Sequence, residues 1–342
     1  QIVFDKTTRN MLWVVLAVFV TFILILFVLS ELIAPKKISL NGAHVLVTGG
    51  SSGIGKCLAI EAARRGASVT LLARNQARLE EARAEVEKHL ADKKQQKVLC
   101  VSADVTKDFN ALEKTVKQVE EEQGPITALI NCAGTSMSAK FLDTPVEEFK
   151  RIMDINYLGS VLLTRAVLPS LMRQKQGRIV LVSSMAGQLG LFGYTAYSAS
   201  KFALRGMAES LQMEVRPFNI QVTLAFPPDT DTPGFVEEQK SKPKETRLIS
   251  ESGGLFQPEV VAKSILDDMM RGRFVSSIGL DGFMLSTITA GFSPISSIME
   301  ALQQVCLMGL FRLISFFYLA HFDHTVKKCH QETEAESNKK SS

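Results

Sequence analysis

Histidine and paired cysteine are the scarce features of this chain of 342 residues. It has five histidines, and none lies between residues 90 and 320, so chemistry carried by that stretch does not use an imidazole. The five cysteines show no C-x-x-C spacing, which excludes a zinc-ribbon pattern and gives no disulfide framework. His321, His324, Cys329 and His330 lie near one another, but we interpret them as a helix end and predict no metal site.

An excess of charge of one sign is also missing. The chain has 39 basic and 35 acidic residues, a net charge of +4, and no long basic run, which argues against nucleic acid as its partner. With 46% hydrophobic and 22% charged residues, it does not have the composition of a disordered protein. The mean hydropathy of +0.12 is high for a water-soluble protein and predicts that part of the chain lies in lipid.

The first apolar segment, residues 11–30, has no charged side chain. Twenty helical residues span roughly 30 Å, the thickness of a bilayer core. A signal peptide is the alternative, but its apolar region is shorter and ends in small residues. We therefore predict an uncleaved transmembrane anchor over residues 11–33, preceded by an N-terminal extension at residues 1–10. Basic residues flank both sides of the segment, so the positive-inside rule leaves its orientation open.

After Pro35, short apolar runs alternate with helical segments. The predicted strands are residues 44–48, 68–73, 97–102, 127–131, 178–184, 220–225 and 274–278. The predicted helices are residues 53–65, 76–90, 108–123, 145–173, 196–216 and 258–271. This alternation predicts an α/β domain over residues 36–282, with a Rossmann-like doubly wound parallel sheet.

The C-terminal region differs in character from this domain. Residues 283–325 are apolar, but Gly291 and Pro294 interrupt them, and Arg312 is costly at the centre of a spanning helix. Two interpretations stay open: a membrane-dipping hairpin or interfacial helix, and a helical pair packed on the domain or on a dimer partner. Residues 326–342 are predicted to be a polar, disordered tail.

A glycine-rich loop follows the first predicted strand. Glycine lets the backbone turn sharply and approach a pyrophosphate, and the next helix offers free N–H groups and the positive end of its dipole. The loop's position between the first strand and the first helix predicts a dinucleotide site. No lysine stands where a P-loop requires it, so ATP is not expected. The predicted contacts in this loop are Gly49, Ser51, Ser52, Gly53, Ile54 and Gly55.

The second predicted strand bears on the choice of cofactor. In NAD sites the second strand usually ends in an acidic residue, but no acid occurs between residues 70 and 79 here. Arg74 stands there instead, and an arginine pairs with a 2′-phosphate. We therefore predict NADPH rather than NADH, with Ser51 as a helper. The alternative is that Arg74 is a solvated loop residue.

Tyr197 and Lys201 are four residues apart, on one face of a predicted helix. A nearby ammonium favours the phenolate, so we expect Lys201 to lower the pKa of Tyr197 and make it a general acid. A tyrosine and a lysine at this spacing also occur by chance, as an ordinary exposed pair. Ser184, at the end of the fifth predicted strand, is placed to bind a carbonyl. Asn156, inside the preceding helix, is placed to hold a proton-relaying water.

These motifs together resemble the short-chain dehydrogenase/reductase family. TGGSSGIG, NCAG at residues 131–134, Asn156, Ser184 and YSASK occur in the family's order and spacing over residues 42–282. The resemblance implies hydride transfer between a nicotinamide and a carbonyl carbon. It implies that Tyr197 is the acid, that Lys201 also binds the nicotinamide ribose, and that Asn156 supports the relay. It also implies cofactor contacts at Asp104, Asn131, Ala133, Gly134, Pro227 and Thr232.

Three further segments, residues 186–196, 227–235 and 245–250, resemble a membrane-bound branch of this family. That branch reduces long-chain sphingoid ketones with NADPH at the cytosolic face of the endoplasmic reticulum. The ending Lys339-Lys340 resembles a retrieval signal for that organelle. The resemblance also implies a lipid bilayer as partner and a homodimer or homotetramer formed through the helices of Asn156 and Tyr197.

The segment 235–256 is the expected substrate lid. Glu237, Glu238 and Glu245 are candidates to bind a substrate ammonium, although a solvated acidic surface is the simpler explanation for any single one of them. A membrane-bound reductase of steroids or retinoids is the alternative enzyme. A catalytically silent membrane scaffold is the alternative of another class.

Overall fold

Seven strands form one parallel sheet in the computed structural model, which describes residues 6–341. The strands are β1 His44–Thr48, β2 Ser68–Ala73, β3 Val98–Ser102, β4 Ala128–Asn131, β5 Gly177–Val182, β6 Ile220–Phe226 and β7 Val275–Ser277. Their order is β3-β2-β1-β4-β5-β6-β7, and β1 pairs with both β2 and β4. The strand order reverses at β1, and a crevice forms there beyond the carboxyl ends of the strands. The predicted doubly wound parallel sheet is confirmed.

Helices precede, connect and follow these strands. They are α1 Lys6–Ile33, α2 Gly53–Arg64, α3 Gln76–Glu87, α4 Phe109–Gln123, α5 Val146–Met153, α6 Gly159–Gln174, α7 Thr195–Val215, α8 Pro233–Gln239, α9 Lys244–Ser250, α10 Pro258–Arg271, α11 Gly279–Ile288 and α12 Ile298–Ser341. The sequence predicted one helix over residues 145–173. The structure divides it into α5 and α6 by a π-helical turn, Asp154–Leu158.

The core lies on both faces of the sheet. Successive residues of β1 point to opposite faces. Val45 and Val47 therefore join the cluster under α2 and α10, whereas Leu46 joins the cluster under α4, α6 and α7. All residues of β1, β4 and β5 are buried, because helices cover the sheet on both sides.

Within residues 6–341, three helical segments are long and apolar enough to cross a membrane by length and composition. Trp13–Ser30 lies in α1, and its side chains are almost all exposed. Val146–Gln174 covers α5 and α6, but half of its apolar window is buried in the fold, so its apolar character belongs to the core. Ile298–Glu336 lies in α12.

The two C-terminal helices pack on the domain as a pair. The rings of Phe283 in α11 and Phe311 in α12 lie 5.6 Å apart. The first turn of α12 also meets α1, where the Ile298 amide donates to Ser30 Oγ at 3.1 Å. These contacts correspond to the packed-pair interpretation.

The disorder predicted for the polar tail is wrong for residues 326–341, which continue α12 as a helix. Two physical reasons account for the difference. This segment has no glycine or proline, and elongating an existing helix avoids the cost of nucleation. Its start is also held on the domain, because Cys329 is buried and Lys244 Nζ lies 2.7 Å from Glu332 Oε2.

Candidate active site

A cavity of about 980 Å³ opens beyond the carboxyl ends of β1, β4 and β5. Its wall includes the glycine-rich loop and, far from this loop in sequence, Ser184, Tyr197 and Lys201. Its volume lies at the upper end of the range for small-molecule sites. The fold therefore brings the predicted catalytic and cofactor groups to one place.

The glycine-rich loop is packed too closely for side chains. A Cβ atom at Gly55 would lie 2.3 Å from the carbonyl oxygen of Gly49. Gly49 and Gly53 have φ of +66° and +52°, a region that favours glycine. Ser52 precedes α2 without a side-chain cap, so the first N–H groups of that helix remain available to an anion. This cradle fits the pyrophosphate of a dinucleotide.

The loops after β1 and β4 are tied together by Thr48. Its Oγ1 accepts hydrogen bonds from the amides of Cys132 and Ala133, each at 2.9 Å. Ala133 and Gly134 consequently line the cavity, as predicted. Asn131 lies elsewhere: its Nδ2 donates to Thr164 Oγ1 at 3.0 Å, and its buried side chain is not part of the cavity wall.

Arg74 lies on the far wall, exposed at the end of β2. Arg78, in the first turn of α3, lies on the same wall. Arg78 was not predicted from the sequence, although its position four residues after Arg74 was a usable signal. Two cations there suit a phosphate.

Asp104 is on the wall as predicted. Burial raises the pKa of its carboxyl, but the hydrogen bonds from Thr106 and the charge of Arg74 outweigh burial and hold this pKa below its usual range. Thr106 donates from its amide and from Oγ1, at 3.0 and 2.8 Å. The Asp104 carboxylate is therefore held in one orientation by Thr106, near the end of β2.

Ser184 lies two residues beyond the strand to which it was assigned, because β5 ends at Val182. It begins the short 3-10 turn Met185–Gly187 and accepts a hydrogen bond from the Ala186 amide at 3.2 Å. The turn is fixed to β6, since the Met185 amide donates to the Pro227 carbonyl at 3.0 Å. The backbone thus sets the position of the serine hydroxyl.

Ser184 and Tyr197 hydrogen-bond to each other across the cavity wall. Tyr197 lies in the first turn of α7, and Lys201 follows one turn later on the same face. The Lys201 Nζ lies 5.7 Å from the centre of the Tyr197 ring and donates to the Val182 carbonyl at 2.9 Å. The carbonyl, rather than the phenol, is the direct partner of the ammonium.

Burial is the largest influence on the pKa of both Tyr197 and Lys201. It raises the pKa of Tyr197 above its usual value, the hydrogen bond with Ser184 opposes this, and the charges of Glu238 and Asp229 raise it further. Burial lowers the pKa of Lys201 to about 8. The expected lowering of the tyrosine pKa by the lysine is therefore not seen in this state. Tyr197 keeps its proton near neutral pH, as a general acid must.

Asn156 lies in the π-helical turn and is buried. Its Nδ2 donates to the Thr135 carbonyl and to Ser200 Oγ, both at 2.9 Å, and its Oδ1 accepts from the Thr135 amide at 2.8 Å. A Cβ at Gly134 would lie within 3.4 Å of both this amide oxygen and Lys201 Nζ. The side chain joins the loop after β4 to α7 and so supports the position of Lys201.

The loop after β6 closes the cofactor side. Thr232 caps α8 by accepting from the Phe235 amide at 3.1 Å. It also lies against the glycine-rich loop, since a Cβ at Gly53 would lie 3.1 Å from its Cγ2. Pro227 and Thr232 both line the cavity, as predicted.

The three candidate acids of the lid have different surroundings. Glu237 is exposed at the cavity edge, whereas Glu245 is buried off the cavity wall and pairs with Lys140 at 3.3 Å. Glu238 lies on the wall, accepts from the Tyr194 hydroxyl, and is 3.4 Å from Lys242 Nζ.

Asp229 is an additional acid on this wall that the sequence reasoning missed. It lies 3.4 Å from the same lysine nitrogen, Lys242 Nζ, and burial raises its pKa. The Tyr194 ring, whose hydroxyl bonds Glu238, is 5.5 Å from the Tyr197 ring. Two carboxylates therefore share one buried lysine beside the proposed acid.

Comparison with known proteins agrees with this arrangement. The family described as "short chain dehydrogenase" matches residues 43–243. A 3-dehydrosphinganine reductase of Danio rerio is 57% identical over 319 residues, which are 93% of this chain and 96% of the relative. A 3-ketodihydrosphingosine reductase of Mus musculus matches with the same identity and coverage. The 3-dehydrosphinganine reductase TSC10B of Arabidopsis thaliana is 40% identical over 94% of this chain and 96% of its own.

Solved structures agree at the level of the fold. A short-chain dehydrogenase from Streptomyces avermitilis has a TM-score of 0.61 and 28% identity, over 72% of this chain and 90% of its own. Levodione reductase has the same TM-score at 24% identity, over 67% of this chain and 91% of its own, which supports the fold alone. The chain belongs to the short-chain dehydrogenase/reductase family of nicotinamide-dependent oxidoreductases.

Proposed function

We propose that the protein reduces 3-ketodihydrosphingosine to dihydrosphingosine with NADPH, a step of sphingolipid biosynthesis. The observation that carries this proposal is the 57% identity, over 93% of the chain, to relatives named for that reaction. The cavity is compatible with it, because Ser184, Tyr197 and Lys201 meet on one wall. These same groups argue against a silent scaffold.

The two hydroxyls are placed to act on one ketone oxygen. Ser184 would hold and polarise the carbonyl, and Tyr197 would give its proton to that oxygen as negative charge develops there. The reduced nicotinamide, when bound, would supply a hydride, which is a proton with its bonding electron pair, to the carbonyl carbon. Lys201 would stabilise the tyrosine anion left after proton transfer, since its ammonium lies beside the ring. Asn156 would act as a positioning residue for Lys201.

The residues suited to the cofactor lie along one wall of the cavity. The loop after β1 would take the pyrophosphate, Asp104 the adenine, and Arg74 with Arg78 the 2′-phosphate that distinguishes NADPH. Ala133, Gly134, Pro227 and Thr232 would line the remaining length. We do not assign Asn131 a direct contact, because its side chain lies off the wall.

The substrate carries an amine on the carbon next to the ketone. A group that binds this ammonium must therefore lie close to Tyr197. Glu238 and Asp229 fulfil this condition, whereas Glu245 does not. Lys242 neutralises one of the two carboxylates, which leaves one negative charge for the ammonium. We assign substrate recognition to this acid pair.

The apolar ends suit a substrate that resides in lipid. In this proposal, α1 anchors the protein in the endoplasmic reticulum membrane with residues 36–282 in the cytosol, and α11 and α12 lie at the bilayer surface. Leu158 and Phe202 are exposed beside Asn156 and Tyr197, which favours a dimer or tetramer formed through that face.

The deciding experiment measures NADPH oxidation by the detergent-solubilised full chain. We expect activity with 3-ketodihydrosphingosine and little with an 11-keto steroid or retinal tested in parallel. Tyr197→Phe should lose at least about a hundredfold in kcat, because it removes the proton donor. Activity with the steroid and not with the sphingoid ketone would overturn the assignment. Full activity of Tyr197→Phe would overturn the mechanism.

A further inference from the structure

The cavity continues past the catalytic hydroxyls into an apolar extension. Leu189 follows the turn of Ser184, and Met284 and Ile288 of α11 form the next part of the wall. Tyr318, Leu319 and Phe322 of α12 lie beyond them. Both helices lie outside residues 43–243, which match the family. Apart from Leu189, these residues of the extension therefore come from the part of the chain that the family match does not include.

Helix α12 crosses the mouth of this extension and is held on both sides of it. Before the mouth, the Phe311 ring contacts Phe283 of α11. After it, Glu332 pairs with Lys244 of α9. Leu319, between these contacts, lines the cavity and is still 47% exposed. It therefore marks an opening between the cavity and the outside.

The outer side of α12 is also apolar. Leu313, Phe316 and Phe317 are exposed, and Phe317 is 73% exposed. Arg312 is the charged residue that α12 contributes to the cavity wall: its guanidinium lies 4.8 Å from the Phe316 ring and donates to Ser315 Oγ at 3.3 Å. An apolar chain moving from lipid past Leu319 would lie mainly beside apolar side chains, with Arg312 and Ser315 as polar neighbours on the same wall.

We propose that α11 and α12 form a subsite for the hydrocarbon chain of a long-chain substrate whose ketone lies at Ser184 and Tyr197. The chain enters past Leu319, so that α12 sets the length that is accepted. This inference rests on the proposed function, because it takes the ketone site as the polar end of the ligand.

A measurable consequence is chain-length selectivity. Each methylene that is buried contributes about fourfold in affinity, the equivalent of about 0.8 kcal/mol. The wild-type value of kcat/KM should therefore rise with chain length across a series of 3-ketosphingoid bases from 8 to 18 carbons. The rise ends where the chain extends beyond the mouth.

Leu319→Asp tests the subsite, with Phe317→Asp on the outer side as the matched control. A carboxylate at the mouth must be desolvated by a long chain, so Leu319→Asp should lower kcat/KM at least tenfold for the 18-carbon ketone and less than twofold for the 8-carbon ketone. In detergent, Phe317→Asp should change kcat/KM for neither the 18-carbon nor the 8-carbon ketone. Leu319→Trp, which only fills the mouth, should move the optimum to shorter chains. Thermal unfolding checks that all three variants fold.

Equal losses for short and long ketones, or equal effects of Leu319→Asp and Phe317→Asp, would overturn the subsite. Binding of a fluorescent 18-carbon amine gives a readout that needs no turnover: Leu319→Asp should weaken it and Phe317→Asp should not. If the wild type reduces no sphingoid ketone, the proposed function fails, while the amine measurement still decides whether this cavity takes a long chain. Unaltered amine binding by Leu319→Asp contradicts the inference.

Discussion

Single residues of the site are held mainly by backbone groups. Lys201 donates to the Val182 carbonyl and Ser184 accepts from the Ala186 amide. Sequence spacing could identify Tyr197 and Lys201, because residues four apart share a helix face. It could not identify Val182 as the partner of the ammonium, since that contact depends on how α7 packs on β5. The same limit explains why Asp229 was not predicted from the sequence.

The pH profile should follow the ionisation of Lys201. Burial lowers the pKa of this amine to about 8, so its positive charge is lost as pH rises through that value. The protonated lysine is the form that stabilises a tyrosine anion. We therefore expect kcat/KM, which reports the free enzyme, to fall above about pH 8.

The linked effect on stability has the opposite direction. The folded-state pKa of Lys201 is below that of the unfolded chain, so the unfolded state binds more protons between about pH 8 and the usual lysine value. The contribution of Lys201 to the free energy of unfolding should rise across that interval. In denaturant titrations at several pH values, Lys201→Met should lack this contribution. An identical pH dependence in both proteins would contradict the assignment.

Cofactor choice should depend on Arg74. Arg74→Asp replaces a cation that suits a 2′-phosphate by an anion that repels it and pairs with ribose hydroxyls. We expect the ratio of kcat/KM for NADPH to that for NADH to fall by at least about a hundredfold, roughly 2.7 kcal/mol. Initial rates with each cofactor give this ratio. Arg78→Asp should produce a smaller shift in the same direction. An unchanged ratio in Arg74→Asp would make it a solvated loop residue.

Recognition of the substrate amine should depend on Glu238. Glu238→Gln keeps the shape of the side chain but removes the charge, so the KM for the amino ketone should rise about tenfold. The KM for the same ketone without the amine should change little. Glu237→Gln is the control, because Glu237 is mostly exposed and pairs with Lys240. Equal effects on the two ketones would assign Glu238 a structural role.

At the scale of elements, the sequence pattern predicted strands better than helix ends. The runs at residues 44–48 and 68–73 coincide with β1 and β2, because strands buried on both faces are continuous apolar runs. The π-helical turn, Asp154–Leu158, was not predictable from periodicity, since it adds one residue inside a pattern that still looks helical. The helical continuation of α12 is supported both by its lack of glycine and proline, which the sequence shows, and by a contact with α9, which no local pattern contains.

The first turn of α2, which packs on the loop after β1, should not tolerate a side chain at Gly55. In Gly55→Ala the new Cβ would lie 2.3 Å from the Gly49 carbonyl oxygen, so the loop must move and lose its cradle shape. We expect the KM for NADPH to rise more than tenfold and the melting temperature to fall. Gly206→Ala in α7 is the control, because nothing lies within 4 Å of its added Cβ. Normal cofactor binding by Gly55→Ala would exclude this loop as the pyrophosphate site.

At the scale of the whole molecule, Arg178 connects the apolar N-terminal helix to the domain. The residue is fully buried in β5. Its guanidinium donates to the carbonyls of Lys36, Met269 and Gly177, and thereby joins the segment after α1 to α10 and β5. Burial lowers its pKa to about 10, so it stays charged at neutral pH. One side chain thus fixes where the chain enters the domain.

Removing that connection should loosen the molecule at this junction. Arg178→Met keeps much of the apolar volume but removes a donor from three carbonyls, of which only that of Met269 is seen to keep another, the Gly272 amide, so the free energy of unfolding should fall by about 3 kcal/mol. Arg178→Lys keeps a donor at this site, so its free energy of unfolding should lie between those of Arg178→Met and the wild type. Arg173→Met, at an exposed site on α6, is the matched control. Denaturant unfolding in detergent gives the free energies, and limited proteolysis after Lys36 and Lys37 reports the junction. If Arg178→Met unfolds like the wild type and its junction stays protected, then α1 is held to the domain by other contacts, such as the one between Ser30 and Ile298.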